Sequence, residues 1–365
     1  VTSTSPVGTP VAALDTPALI LDLDAFDANV ATITSLLTAR GVNWRPHAKA
    51  HKSPAIAHRL IAAGAIGITC AKLSEAEVYA ATGIRDILIA SQVVGETKAR
   101  RLAELAHHCD VIVAVDSIEG AQFLQDAAAS SGSQPRVVIE VNCGMNRAGV
   151  DPGEAAVELA RQLVSLGNLR FAGIMAWEGH VLGIPEGKAR AEAIQTAISQ
   201  VVETAAAIEA AGIPVSIVSC GGTGTLTTTP GINGDTEIQA GGGVFGDAFY
   251  RNLEIPVQPA LSIMVTVTSR PTPTRVLIDA GRKTVDPSNV PPVPLGVGEG
   301  AMIALSAEHG NIALEAPCDA PRVGDHLSLL VGYSDQAVHL HEQMYAVRNG
   351  IVSAVWPTLA RGKLN

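Results

Sequence analysis

Apolar positions between residues 42 and 245 fall into short β-branched runs separated by stretches of helical periodicity. The runs at 42–46, 66–70, 86–90, 111–115, 137–141, 171–177, 215–220 and 236–240 predict strands. The stretches at 54–63, 73–82, 98–107 and 188–211 are among the helices predicted between them. The strand runs are apolar on both alternating faces, as expected of a parallel sheet covered on both sides. Eight such strands, alternating with helices over roughly 200 residues, predict an α/β fold with a (β/α)8 barrel of the TIM type. After Pro256 the pattern changes to short strands at 262–268, 275–279, 302–306, 311–316, 326–331, 344–347 and 351–355, without long helical stretches. Turn residues punctuate them, which predicts a C-terminal antiparallel β domain. The early run at 18–22 is assigned to that second domain, so the expected organisation is a barrel over 26–255 and a β domain from 1–25 and 256–365.

Composition narrows the function. The chain has 365 residues, 47% of them hydrophobic and 16% charged, which supports a large core and excludes disorder for its body. With 35 acidic against 25 basic residues it lacks the electrostatic footprint of a nucleic-acid binder. No apolar run reaches the roughly 18 residues of a membrane span. The opening VTSTSPVGTP has neither a basic nor an apolar leader segment, so a cytoplasmic location is expected. The five cysteines are scattered without a C-x-x-C pair and are read as small buried hydrophobes.

Functional residues of a barrel collect at the C-terminal ends of its strands. The first barrel strand runs into Arg45-Pro-His-Ala-Lys-Ala-His-Lys52, where five ionisable groups crowd a chain otherwise poor in charge. A lysine among cationic neighbours is suited to Schiff-base chemistry. The seventh and eighth strands end in Cys220-Gly-Gly-Thr-Gly-Thr225 and Gln239-Ala-Gly-Gly-Gly-Val244. Glycine backbones and threonine hydroxyls there suit an anion, and barrels commonly bind phosphate at this point. A reactive lysine and a phosphate cup in one barrel imply pyridoxal 5′-phosphate (PLP).

Arg45 to Lys52, Cys70-Ala-Lys-Leu-Ser-Glu-Ala-Glu77, Asp86-Ile-Leu-Ile-Ala90, Glu140-Val-Asn-Cys-Gly-Met-Asn-Arg147, Glu308-His-Gly310 and the tail Trp356 to Gly362 stand in order along nearly the whole chain. In these motifs the chain resembles the D-threonine aldolase/D-serine dehydratase family of PLP enzymes. The resemblance implies an alanine-racemase-type barrel, a β domain and a homodimer with an amino acid as its small-molecule substrate. It assigns Lys49 to the Schiff base with PLP, Arg147 to the phenolate oxygen of PLP, and Gly222, Thr223, Gly242 and Gly243 to its phosphate. Arg45 and His47 are expected to orient the lysine and cofactor from beneath.

Two departures from the family pattern bear on chemistry. Many relatives have tyrosine where this chain has Trp177, in Ala176-Trp177-Glu-Gly-His180. An indole N–H can only donate a hydrogen bond, so beside the pyridine nitrogen it would favour the unprotonated ring; plain packing is the alternative. The family's β domain typically supplies a histidine and a carboxylate or thiolate to a divalent metal. Here Tyr333 occupies the histidine place, leaving Asp335 as the candidate ligand, so reduced or absent metal dependence is expected. His339 and His341, read on a strand, would share a face as a contact pair.

The resemblance implies chemistry at the substrate Cα with three outcomes. Cα–Cβ cleavage of a D-β-hydroxy-α-amino acid to glycine and an aldehyde needs a base for the β-hydroxyl, and His180 is the candidate. Dehydration with deamination loses its evident Lewis acid. Racemisation would use Tyr333 as a second base. Aldol cleavage is therefore the leading expectation. The β domain argues against a non-catalytic PLP-binding regulator, since such proteins are single barrels.

Overall fold

The computed structural model describes residues 5–298 and 300–365. The chain begins with β1 (Ala18–Asp22) and α1 (Leu23–Thr38). It then alternates through β2 (Asn43–Trp44), α2 (Pro54–Ala62), β3 (Ile68–Cys70), α3 (Leu73–Ala81), β4 (Asp86–Gln92), α4 (Glu96–Leu105), β5 (Asp110–Val115) and α5 (Ile118–Ser131). The alternation continues with β6 (Arg136–Glu140), α6 (Glu154–Val164), β7 (Arg170–Met175), α7 (Lys188–Ala210), β8 (Ile217–Cys220) and β9 (Glu237–Ile238). After α8 (Ala248–Asn252) the chain is almost entirely strand: β10 (Leu261–Thr272), β11 (Arg275–Ile278), β12 (Val293–Leu295), β13 (Met302–Leu305), β14 (Gly310–Ala313) and β15 (His326–Leu330). It ends with α9 (Ser334–Ala337), β16 (Gln343–Arg348) and β17 (Ile351–Pro357).

Two compact units result. The first comprises residues 33–49, 57–241 and 362–365, the second residues 1–32, 50–56 and 242–361.

The first unit contains an eight-stranded sheet ordered β2-β9-β8-β7-β6-β5-β4-β3, all pairs parallel. Its two ends meet where Ile66 N donates to Trp44 O and Thr69 N to Pro46 O, so the sheet curls into the expected barrel. Leu88, Ile112, Ala114, Val138, Ala172, Met175 and Ile217 form one buried cluster across β4 to β8. The helices between strands start and stop by local chemistry. The Ser117 side chain accepts from Gly120 N at the start of α5, and Gly132 in a left-handed conformation closes it. The strands are shorter at the closing seam than the apolar runs imply: β2 and β9 have two residues each. Backbone bonds continue past them, from Arg45 N to Ile238 O and from His47 N to Gln239 O, into the start of the charged and glycine-rich motifs.

The second unit holds a nine-stranded sheet in which β1 pairs antiparallel with β10 and parallel with β16. The run at 18–22 therefore belongs with the C-terminal strands, as expected. The other strand pairs are antiparallel. Leu14, Ala18, Met264, Val347 and Val352 pack together against this sheet. Two local features depart from the sequence reading. β12 was hidden by the proline-rich stretch around it, and its pairing with β15 places Pro294 on a short strand bonded to a single named neighbour. His339 lies in a 3-10 turn spanning Val338–Leu340 rather than on a strand, so it and His341 do not share a strand face.

Candidate active site

Within the barrel unit, Lys49 sits half-buried in a 3-10 turn (Ala48–Ala50) that follows β2. Its backbone N–H donates to Nδ1 of His47 at 3.4 Å, which folds the turn back on the preceding histidine. His47 is itself tied to the barrel: its N–H donates to Gln239 O, and it bridges Thr69 in parallel fashion.

Arg45 does not join this group. Its guanidinium reaches the N-terminal ends of the strands, where Nε donates to Glu237 Oε1 at 2.8 Å and Nη2 to Glu237 Oε2 at 3.0 Å. Nη1 meets Asp86 at 2.5 Å. Burial works against its charge, but Glu237 and Asp86 outweigh that and raise its pKa. Further ion pairs join Asp86, Arg136, Asp110 and Arg170, each the first residue of its strand. Arg45 thus lies beneath, at the foot of the barrel, with its guanidinium taken by Glu237 and Asp86, so its assignment as a residue that binds the cofactor directly is corrected. Its long, buried stem lets the guanidinium run back to Asp86 and Glu237, the first residues of β4 and β9.

At the opposite end of β6, Glu140 accepts from Gln92 Nε2 at 2.6 Å and pairs with Arg147 at 3.4 Å. Arg147 remains exposed, so its guanidinium is steered by Glu140 while open to a ligand.

The end of β7 presents three side chains in succession. Trp177 lies against the double-glycine loop: a Cβ at Gly222 would come within 2.6 Å of the indole. Trp177 therefore packs under the loop, which favours its packing role over a contact chosen by the indole N–H. Glu178 is fully buried and accepts from Thr225 Oγ1 and Thr229 Oγ1, both at 2.7 Å, and from Gly221 N at 3.2 Å. His180 is exposed, its ring resting where a side chain on Gly144 would be. Gly222 and Thr223 are both buried, and Gly222 N donates to Thr225 Oγ1 at 3.2 Å.

Asp235, in the loop before β9, is 8% exposed. Burial first and Glu178 second push its pKa up to about 8, while the N–H groups of Thr236 and Glu237 offset this only partly. Glu178 and Asp235 were not singled out from the sequence. Glu178 lay in a run already noted for its neighbours, but nothing in one sequence shows that threonines far along the chain turn toward it.

Within the second unit, Gly242 and Gly243 are buried in a 3-10 turn, and a side chain at 242 would collide with the ring of Tyr250. Asp247 caps α8, taking Tyr250 N at 3.1 Å on Oδ1 and Ser334 N at 2.7 Å on Oδ2. That carboxylate joins the segment bearing Tyr333 to the helix bearing Tyr250. The Tyr333 hydroxyl donates to Asp335 Oδ2 at 3.0 Å, with Tyr250 as a further hydrogen-bond partner. Phe249 packs on Tyr333 with ring centroids 4.8 Å apart. Burial, and then the charge of Asp335, hold the Tyr333 phenol well above its ordinary pKa.

Four cysteines are buried, as expected, whereas Cys318 is exposed. No helix among the described residues is long and apolar enough to cross a membrane.

The barrel's parallel strands, the lysine turn after β2 and the glycine loop after β8 suit PLP: an amine for its aldehyde and side-chain-free backbone for its phosphate. Comparison with known proteins agrees. Residues 21–248 match the alanine racemase N-terminal domain and residues 260–347 the serine dehydratase domain. A D-threonine aldolase from Arthrobacter sp is 36% identical over 97% of this chain and 95% of its own length. A D-threo-3-hydroxyaspartate dehydratase from Delftia sp. (strain HT23) is 34% identical over 70% of this chain and 68% of its own. The crystal structure of D-threonine aldolase from Filomicrobium marinum superposes with a TM-score of 0.96 at 35% identity, covering 100% of both chains. The chain belongs to the D-threonine aldolase/D-serine dehydratase-like family of alanine-racemase-fold enzymes.

Proposed function

We infer that the protein is a PLP-dependent lyase that cleaves Cα–Cβ of D-β-hydroxy-α-amino acids to glycine and an aldehyde. The observation that carries this reading is the end-to-end match to a D-threonine aldolase in sequence and in fold, with Lys49 in the turn after the first barrel strand. The dehydratase relative supports the alternative over a smaller share of the chain.

Bound at Lys49, PLP supplies the electron sink that stabilises negative charge at the substrate Cα. The protein's own groups do the rest. The Lys49 amine would hold the cofactor by its aldehyde. Arg147, steered by Glu140, offers its guanidinium to the cofactor's phenolate oxygen. Trp177 and the 221–225 loop support the phosphate end. We assign His180 Nε2 or Nδ1 to take the β-hydroxyl proton, because its exposed ring at the end of β7 is open to a ligand.

We further propose that cleavage proceeds without the family's divalent metal. Two observations support this. The tyrosine at 333 keeps its proton, since burial and Asp335 raise its pKa, and a neutral phenol is a poor ligand. Asp335 Oδ2 is already engaged by that hydroxyl. The same raised pKa disfavours racemisation, which would need Tyr333 as a base. The buried unbridged cysteines fit a reducing compartment, and we propose a cytoplasmic homodimer.

The test is product analysis after incubating PLP-loaded enzyme with D-threonine and D-phenylserine, with and without EDTA. Glycine plus aldehyde in both conditions is expected. Glycine lost with EDTA would overturn the metal-free reading. An oxo acid with ammonia, or the opposite enantiomer, would replace the aldolase with the dehydratase or the racemase.

A further inference from the structure

Glu178 is a carboxylate with no exposure to solvent, in a chain that spends charge sparingly. A buried carboxylate is costly unless several donors meet it, and one kept in place is there to organise those donors. Its donors all come from the loop after β8. Oε1 takes the hydroxyl hydrogens of Thr225 and Thr229, and Oε2 takes the N–H of Gly221. The arrangement propagates one residue further. With its hydrogen committed to Glu178, the Thr225 oxygen is turned to accept from Gly222 N. The backbone N–H groups of both glycines are therefore fixed, one directly and one through a threonine. Trp177, the neighbour of Glu178 in sequence, closes on Gly222. Adjacent residues at one strand end thus hold the loop by charge and by packing.

Asp235 lies beside Glu178: burial first and the charge of Glu178 second push the Asp235 pKa up to about 8.

We propose that Glu178 is a positioning residue that sets the Gly221–Thr225 loop in the shape that receives the cofactor's phosphate. This rests on the reading that the chain binds PLP with its phosphate at Gly222 and Thr223. Glu178 contacts neither substrate nor reacting atoms; it acts through Thr225, Thr229 and Gly221.

The distinguishing readout is phosphate-specific affinity. Equilibrium dialysis of the apoprotein with PLP and with pyridoxal, which lacks the phosphate, separates loop shape from general stability. In Glu178→Gln the side chain keeps its size, but an amide N–H2 faces the Gly221 N–H or one of the threonine hydroxyls. PLP affinity is expected to fall about tenfold, the scale of a lost charge-assisted bond, with pyridoxal affinity within about twofold of the unmutated protein. Thr229→Val, isosteric but without the hydroxyl, should show a smaller loss of the same selectivity, and Thr229→Ser should restore it. That pair carries the test if Glu178→Gln does not fold. Equal losses for PLP and pyridoxal, or no loss for either, would overturn the proposal. A native protein that binds PLP no better than pyridoxal would instead overturn the reading of the phosphate cup on which it rests.

Discussion

Arg45 and Glu237 face each other through two parallel hydrogen bonds, 2.8 and 3.0 Å long, with side chains only 2% and 3% exposed. This pair joins the segment leading to the lysine turn to β9, whose ladder with β2 is only two residues long. Removing one partner of a buried, bidentate pair leaves the other charge stranded, at a cost of about 3–5 kcal/mol. Arg45→Met should lower stability by that order in urea unfolding. Because Arg45 sits at the foot of the barrel, the fraction that remains folded should bind PLP with unchanged affinity, measured by dialysis.

Lys49→Ala should abolish glycine formation while leaving the far-UV circular dichroism spectrum intact. Borohydride reduction of the native holoenzyme followed by peptide mapping should place the cofactor on Lys49 alone. Label on Lys52 or Lys72 instead would reassign the reactive amine.

Asp235 predicts a falling stability limb. Its folded pKa of about 8 lies far above the roughly 3.9 of an unfolded aspartate. Between those values the folded protein holds a proton that the unfolded chain has released. Stability therefore declines as pH rises through that window, and levels off above it. Asp235→Asn should be more stabilising at pH 8 than at pH 5, judged by urea midpoints. The reverse order would show that Asp235 is ionised in the native state.

His51 predicts the opposite limb. It is fully buried, with Nδ1 accepting from Ser53 N, and burial followed by Lys52 pushes its pKa down to about 3. An unfolded histidine takes up its proton near pH 6.5, whereas this one stays neutral. Its contribution is complete above pH 6.5 and is lost as pH falls toward 3. His51→Asn, whose Oδ1 can take the Ser53 N–H, should flatten the acid limb of the urea midpoint against pH.

Tyr333→His would place a metal-type ligand two residues from Asp335, where the native phenol donates its hydrogen bond. Activity of the native enzyme should be unchanged by EDTA, while this variant should bind a divalent cation in dialysis and become sensitive to the chelator. A native enzyme that loses activity with EDTA would reject the replacement.

The barrel was legible because its strands are apolar on both faces and separated by helical periods, and because glycines and cationic residues gather at their ends. The turn that carries Lys49 and the loop that carries Gly222 could be located at strand ends from position alone. The partners of Arg45 could not, because Glu237 and Asp86 are distant in sequence and a long side chain at a strand end can reach back to the foot. The 3-10 turn at His339 escaped for another reason: alternating apolar and polar residues imitate a strand over so short a span. Glu178, Thr225 and Thr229 escaped because their meeting is tertiary. A threonine 51 residues away is invisible to any local pattern. Tyr333 was legible as a departure from the family, but its burial and its pairing with Asp335, which together raise the phenol pKa, required coordinates.

The contact between Trp177 and Gly222 restricts the routes by which this enzyme can evolve. Any residue larger than glycine at 222 drives its first carbon into the indole. An exchange at 222 therefore requires the indole to move aside or 177 to become smaller, and a smaller 177 first opens a void beneath the loop. Each single step is unfavourable in the other's absence, so in descendants of this sequence the two positions should be retained together or replaced together.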